Sequence, residues 1–247
     1  MTADYTDSVQ YELNGDIATI TIDDGKRNAL SPAVLAGIYR ALDQAERDNA
    51  IVIITGREDV FSAGFDLKVM QRGGSRAIGM LKSGYGLPAR VLRYPRPVIV
   101  ACNGHSFAMG VFLMLAADCV VGSRGDYKIS ANEVAIGMTM PRVAAAMLKH
   151  RLRPAAYQRA VALAQYFDVD AALHAGFFDE VVESGELQSH ALQLAEHYKQ
   201  LDPHSHKVSK RRIRKPLVRR LRWSRPLDLI DAAMIGLRRA SSRKKNN

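Results

Sequence analysis

Short runs of β-branched and aliphatic residues alternate along the chain with longer segments whose apolar positions recur every three or four residues. Val9 to Leu13, Asn14-Gly15, and the stretch from Ile17 to Ile22 predict two strands joined by a tight hairpin, since Asn-Gly supplies the positive φ angles of such a turn. Ser31-Pro32 predicts a helix start, with Ser as cap and Pro in the first turn, carrying Leu35, Ile38, Leu42 and Ala45 on one face. The continuous run Ile51-Val52-Ile53-Ile54 predicts a fully buried strand that ends in a loop at Gly56. Strand, helix, strand is an α/β signature.

The alternation continues after Arg72-Gly73-Gly74-Ser75, whose glycines predict a flexible link. Strands are predicted at Pro97 to Ala101, Cys119 to Gly122, Tyr127 to Ile129 and Phe177 to Val182. Helices are predicted at Val111 to Ala117, Pro141 to His150, from Pro154, at Asp168 to Gly176 and at Leu187 to Leu201. There is no repeat of fixed period and no low-complexity tract. Periodicity and charge both change after Pro203, which divides the chain into a core, residues 1–202, and a tail, residues 203–247.

Composition narrows the class. With 247 residues, 47% of them apolar, the chain can bury a large core, and collagen-like, disulfide-rich and disordered classes are excluded. Cys102 and Cys119 lie within apolar runs without metal-ligand spacing and read as buried thiols in a reducing compartment. No apolar run is long enough to span a bilayer, and the start MTADYTDSVQ is unlike a targeting peptide, so a cytoplasmic protein without membrane contact is expected. The formal net charge is +10, yet residues 207–247 hold fifteen Lys and Arg against Asp228 and Asp231, while the rest of the chain is slightly acidic. Ile213, Leu217, Leu221, Leu227, Ile230, Met234 and Leu237 punctuate those charges at helical spacing, so the tail reads as amphipathic helices that pack on something. A solvated basic face, a phosphate-bearing ligand and an anionic partner remain open, and specific nucleic-acid recognition is not favoured. Residues 241–247 are expected to be disordered.

Walker A, GxSxG, HExxH and paired CxxC motifs are absent. Three loops at strand ends stand out instead: Lys26-Arg27-Asn28-Ala29-Leu30, Phe61-Ser62-Ala63-Gly64-Phe65-Asp66-Leu67, and Asn103-Gly104-His105-Ser106-Phe107-Ala108-Met109-Gly110. Each precedes a helix and can present free N–H groups at a helix N-terminus, with small residues that let a ligand approach the backbone.

With the hairpin before them and Asn132-Glu133-Val134-Ala135-Ile136-Gly137 after them, these loops resemble in order and spacing the crotonase superfamily, the enoyl-CoA hydratases and isomerases, over roughly residues 8–200. The resemblance implies a spiral of ββα units with a C-terminal helical region that assembles as a homotrimer or a dimer of trimers. It implies two backbone donors for the thioester oxygen of an acyl-CoA, falling on the N–H groups of Phe65 and Met109, with Gly110 the next candidate. Contacts to the acyl-CoA are implied at Lys26, Arg27, Ala29, Ala63, Asp66, Leu67, Gly110 and Phe112, with residues 72–86 shaping the acyl end; Lys26, Arg27 and Lys68 are placed to meet phosphates, with plain surface solvation the equal alternative. No metal and no separate cofactor are implied, CoA being part of the substrate.

Similar hydratases use two glutamates. One is matched by Glu133 and the other by Phe112, which cannot move a proton. Hydration needs one group to activate water and another to protonate C2, whereas one carboxylate suffices to move a proton from C2 to C4. Conversion of 3-enoyl-CoA to trans-2-enoyl-CoA through Glu133 is therefore the expected activity. The competing readings are hydration, another crotonase reaction such as thioester hydrolysis, a non-catalytic acyl-CoA binding protein, and RNA binding through the tail. Glu133 could instead cap a turn or pair with Arg142 or Lys128. His105 is read as structural, and the Asp66 side chain as a helix cap.

Overall fold

A computed structural model describes residues 8–235 and, beyond them, the bounds of the first strand and the last helix. The chain opens with strand β1 (Thr2–Thr6) and the hairpin β2 (Val9–Asn14) and β3 (Ile17–Ile22), followed by β4 (Ala29–Leu30) and helix α1 (Pro32–Arg47). The Ser31 hydroxyl accepts from the Val34 N–H at 3.3 Å, and Pro32 occupies the first turn, where its missing N–H costs nothing.

Three successive turns of the chain then repeat one plan. In the first, β5 (Ile51–Thr55) leads to β6 (Asp59–Ser62), the short β7 (Gly64–Phe65), and helices α2 (Leu67–Arg72) and α3 (Gly74–Leu92). In the second, β8 (Val98–Cys102) leads to β9 (Gly104–Phe107) and α4 (Met109–Met114). In the third, β10 (Cys119–Ser123) leads to β11 (Ile129–Ser130), a single 3-10 turn over Val134–Ile136, and helices α5 (Arg142–Arg151), α6 (Pro154–Leu163) and α7 (Val169–Ala175). Strand β12 (Glu180–Val182), α8 (Leu187–Tyr198) and α9 (Pro203–Lys245) complete the chain.

The first strand of each turn joins a large sheet of order β1-β2-β3-β5-β8-β10-β12, parallel from β3 onward. The second strands stack in a smaller parallel sheet, β11-β9-β6, while β4 pairs with β7. Alternation decides which side chain enters which core: Val52, Ile54 and Val100 face the main one, whereas Ile51, Ile53 and Ile99 face a second layer closed by Leu187, Ala191 and Ala195 of α8. Gly104 permits the close approach of β9 to β6, since a Cβ there would lie 2.0 Å from the Asp59 carbonyl.

The stretch at 72–75 links α2 to α3, with Gly73 (φ +69°) and Gly74 (φ +71°) turning the chain between them. The expectation for the tail needs correction. The tail is one helix, α9, with Pro216 and Pro226 inside it, and its inward stripe differs from the apolar one read above. Leu217 and Leu221 enter the main core, but Lys210 and Arg214 are buried with them, while Ile213, Leu227, Ile230 and Met234 are exposed, as is Trp223. Leu237 and the expectation for residues 241–247 lie outside the described side chains. Among the described residues, no helix is long and apolar enough to cross a membrane.

Candidate active site

The three singled-out loops meet at the C-terminal ends of β3, β5 and β8. Asn28, wholly buried, knots the first to the second: its Nδ2 donates to the carbonyls of Ile22 (2.7 Å), Val60 (3.0 Å) and Phe61 (3.2 Å). The Asp24 carboxylate gathers the N–H groups of Lys26, Asn28 and Ala29, and the Ala63 N–H donates to the Arg27 carbonyl at 2.9 Å. The Ser62 hydroxyl donates to the Asn28 carbonyl at 2.8 Å and accepts from the Gly64 N–H at 3.2 Å. Asn28 sat within a quoted motif, but only the fold shows its bracing role.

The second and third loops touch through missing side chains. A Cβ on Gly64 would lie 2.9 Å from the Ala108 Cβ and 3.3 Å from the Met109 nitrogen, and one on Gly110 would lie 2.7 Å from the Ser62 Cβ. Glycine at both places lets β7 and the start of α4 lie side by side. Ala108 adopts φ +48°, ψ −121°, a conformation costly for any residue with a Cβ, and is held there by its N–H bond to the Ser130 carbonyl at 2.9 Å. Helix α4 then begins at Met109 without a side-chain cap, so its first amides have no intrahelical acceptor.

Beside this junction stands Phe65, whose ring lies over Gly84 of α3, where a Cβ would sit 2.2 Å from the ring. It meets the Tyr85 ring edge-on at 5.7 Å. Burial pushes the Tyr85 phenol up, and the nearby Asp228 and Glu133 carboxylates add to the shift, which ties α3, α9 and the turn bearing Glu133 to one neighbourhood. Tyr85 and Asp228 carry no motif: the sequence placed Tyr85 only within the stretch 72–86 and counted Asp228 only as a charge.

Glu133 precedes the 3-10 turn and is only 4% exposed. Among the described residues its Oε2 has no hydrogen-bond partner, and desolvation pushes its carboxyl up to about 7, against the smaller opposing effect of its own backbone N–H. The pairing and capping alternatives both fail. Arg142 is bound to Asp228 (3.2 Å) and Asp231 (2.5 Å), Lys128 is exposed, and Glu133 makes no side-chain cap bond.

The remaining residues scatter in exposure. Lys26, Arg27, Leu67 and Lys68 are exposed, Ala29 and Ala63 partly buried, and Phe112 wholly buried in the main core. Asp66 Oδ1 accepts from the N–H groups of Lys68 (2.8 Å) and Val69 (3.3 Å), so its side chain caps α2. His105 is engaged within the fold: Nδ1 accepts from the Lys128 N–H at 3.0 Å, and the ring stacks on Phe107.

A spiral of three strand, strand, helix turns, whose loops pack against one another at glycines near the strand ends, defines the crotonase fold. The enoyl-CoA hydratase/isomerase family profile matches residues 12–229. A solved enoyl-CoA hydratase/isomerase family protein from Pseudomonas syringae is 43% identical, with a TM-score of 0.89 over 92% of this chain and 98% of that one. The probable enoyl-CoA hydratase EchA3 of Mycobacterium tuberculosis is 42% identical, with a TM-score of 0.88 over 96% and 99%. The peroxisomal enoyl-CoA delta isomerase 2 of Arabidopsis thaliana is 31% identical over 161 residues, 62% of this chain and 67% of that protein. The chain belongs to the enoyl-CoA hydratase/isomerase family.

Proposed function

We propose that the protein is an enoyl-CoA isomerase that converts 3-enoyl-CoA to trans-2-enoyl-CoA. The thioester oxygen accepts from the N–H groups of Phe65 and Met109, and Glu133 takes a proton from C2. The C2–H electron pair forms the enolate, whose charge the two donors stabilise. Return of the proton to C4 uses the π electrons of the old C3–C4 double bond and leaves the new one between C2 and C3. Each such donor contributes roughly 100- to 1000-fold to rate, because it meets charge that develops only along the reaction.

The observation that carries this reading is the state of Glu133, a buried carboxyl without a salt-bridge partner among the described residues, which burial pushes up to about 7. A group that must first accept and then return a proton works best there. Phe112, in place of a second carboxylate, favours isomerisation over hydration. In the same reading Lys26, Arg27, Ala29, Ala63, Asp66 and Leu67 meet the CoA portion, while Gly110 and Phe112 flank the acyl group. Residues 1–202 form the catalytic core of a cytoplasmic homotrimer or dimer of trimers, and 203–247 serve its assembly, for which the exposed Ile213, Trp223 and Leu227 provide apolar surface.

The test is to assay isomerisation of 3-enoyl-CoA and hydration of trans-2-enoyl-CoA on one preparation. Isomerisation is expected to be fast in the wild type and lost in Glu133→Gln, with acyl-CoA affinity retained. Rapid hydration by the wild type would reject the one-carboxylate mechanism.

A further inference from the structure

One face of α9 and the end of α3 enclose an open groove of about 890 Å³. Its floor is apolar, made by Leu92 of α3 and by Val208, Val218, Trp223 and Pro226 of α9. Arg211, Arg212, Lys215, Arg219 and Arg222 line it as well, and Arg93 does so from the α3 side. These six cations are exposed, and Trp223 is 73% exposed. From Lys207 to Pro226 the helix holds ten Lys and Arg and no acidic residue. The carboxylates that α9 does meet or carry are engaged elsewhere: Asp118, just before β10, by Lys210 Nζ (2.5 Å) and Arg214 Nη2 (2.9 Å), and Asp228 and Asp231 by Arg142. Among the described residues the six groove cations therefore have no carboxylate partner.

The arrangement of charge and apolar floor selects the occupant. Val208 to Pro226 spans about 27 Å at about 1.5 Å per residue, and the cations recur along that whole length, roughly one per helical turn. A fatty-acid anion carries its charge at one end only. A nucleic-acid strand supplies charge at every step but lays no hydrocarbon on the floor, and a bilayer presents a flat face that does not enter a groove between two helices. A second copy of α9 would oppose like charge to like. A helix with an apolar stripe flanked by Asp and Glu meets both features, since its side chains on one face repeat about every 5.4 Å, as the cations do. An extended peptide, whose side chains on one face repeat about every 6.7 Å, would drift out of step. We propose that this groove docks an acidic amphipathic helix of a partner protein. The end of α3 leads into the start of β8, so the groove lies away from the candidate active site at the other ends of the strands. Ile213 and Leu227, which do not line it, remain for the assembly proposed above.

The experiment titrates the full chain with a synthetic peptide of about five helical turns, bearing leucines at i, i+3, i+4 and i+7 and glutamates on both flanks. Trp223 is the chain's single tryptophan, so its emission reports on the groove directly. The peptide should bind saturably with a blue shift of that emission, and affinity should fall as salt rises. Replacing its glutamates by glutamine, or scrambling its order, should weaken binding at least about tenfold. Lys215→Glu combined with Arg219→Glu, both exposed positions, should do the same, while Lys207→Glu combined with Arg220→Glu, an equal change of charge outside the groove, should cost clearly less. No saturable binding, equal binding of the glutamine peptide, or binding undiminished in the Lys215 and Arg219 variant would overturn the proposal. Phosphatidylserine vesicles and a single-stranded RNA of similar length are titrated beside the peptide: tighter binding of either, lost in that same variant, would reassign the groove to lipid or RNA. Sedimentation supplies the last arm, since a variant that loses its assembly in a protein that binds no peptide would assign the groove to a second copy of this chain.

Discussion

Two buried carboxylates, Glu133 and Asp228, are each 4% exposed, yet their surroundings are opposite. Asp228 reaches from α9 to the start of α5, where its oxygens accept from the Arg142 and Val143 N–H groups at 2.9 Å and pair with the Arg142 guanidinium. It supplies the cap α5 lacks, in the place where a helix end attracts negative charge. Glu133 leaves one oxygen buried and unsatisfied. Burial alone therefore does not mark a reactive group. What separates the two is whether the fold spends donors on the carboxylate, as it does for Asp228, or withholds them among the described residues, as at the Glu133 Oε2.

The strongest way to break that comparison is to neutralise each in turn. Glu133→Gln should lower isomerase kcat by at least roughly 100-fold, whereas Asp228→Asn should stay within a few-fold of wild type. Comparable losses in both would mean that Asp228 belongs to the chemistry.

A second measurement sharpens it through pH. In the proposed mechanism Glu133 is the base and must be ionised, and burial pushes its carboxyl up to about 7, so kcat/KM is expected to rise with pH along a limb centred about there. Asp228→Asn should keep that limb. A profile flat from pH 5 to 8 would remove Glu133 from the mechanism.

Stability should divide the pair in a third, smaller way. The folded pKa of Glu133 is raised from 4.5 to about 7, so the folded state binds the extra proton across that window and wild-type stability falls as pH rises through it. Glu133→Gln should thus unfold at higher denaturant than wild type at pH 8, by up to the order of 3 kcal/mol, and show no such gain at pH 4. Asp228→Ala should instead lose about 1 to 2 kcal/mol, the usual cost of removing a helix cap. Denaturant titrations at the two pH values check both.

Strands and loops were legible because their signals are local. The run 51–54 could only be a buried strand, and the glycines at 64 and 110 sit where two backbones must touch. The tail was harder to read. Counting apolar residues read a stripe that packs on something without saying what faces the core, and α9 buries Lys210 and Arg214 there, whose long side chains reach Asp118 and carbonyl groups nearly a hundred residues away in sequence. The roles of Tyr85 and Asp228 were invisible for the same reason, since their meaning comes from partners on other elements. Glu133 was found by motif, while its isolation followed only from seeing Arg142 occupied elsewhere.

The backbone at Ala108 has a consequence for how the protein can be improved. Holding a residue with a Cβ at φ +48°, ψ −121° costs about 1 to 3 kcal/mol, which glycine would largely avoid. Ala108→Gly should accordingly leave the folded state no less stable, the relief of strain offsetting glycine's freer unfolded chain. It should also widen the angles available to the turn and blur the direction of the Met109 N–H, so that turnover falls although melting does not. A selection for thermal robustness alone would drift toward glycine here, and a selection for turnover would hold alanine; comparing melting curves and kcat for the two forms shows which pressure the position answers to.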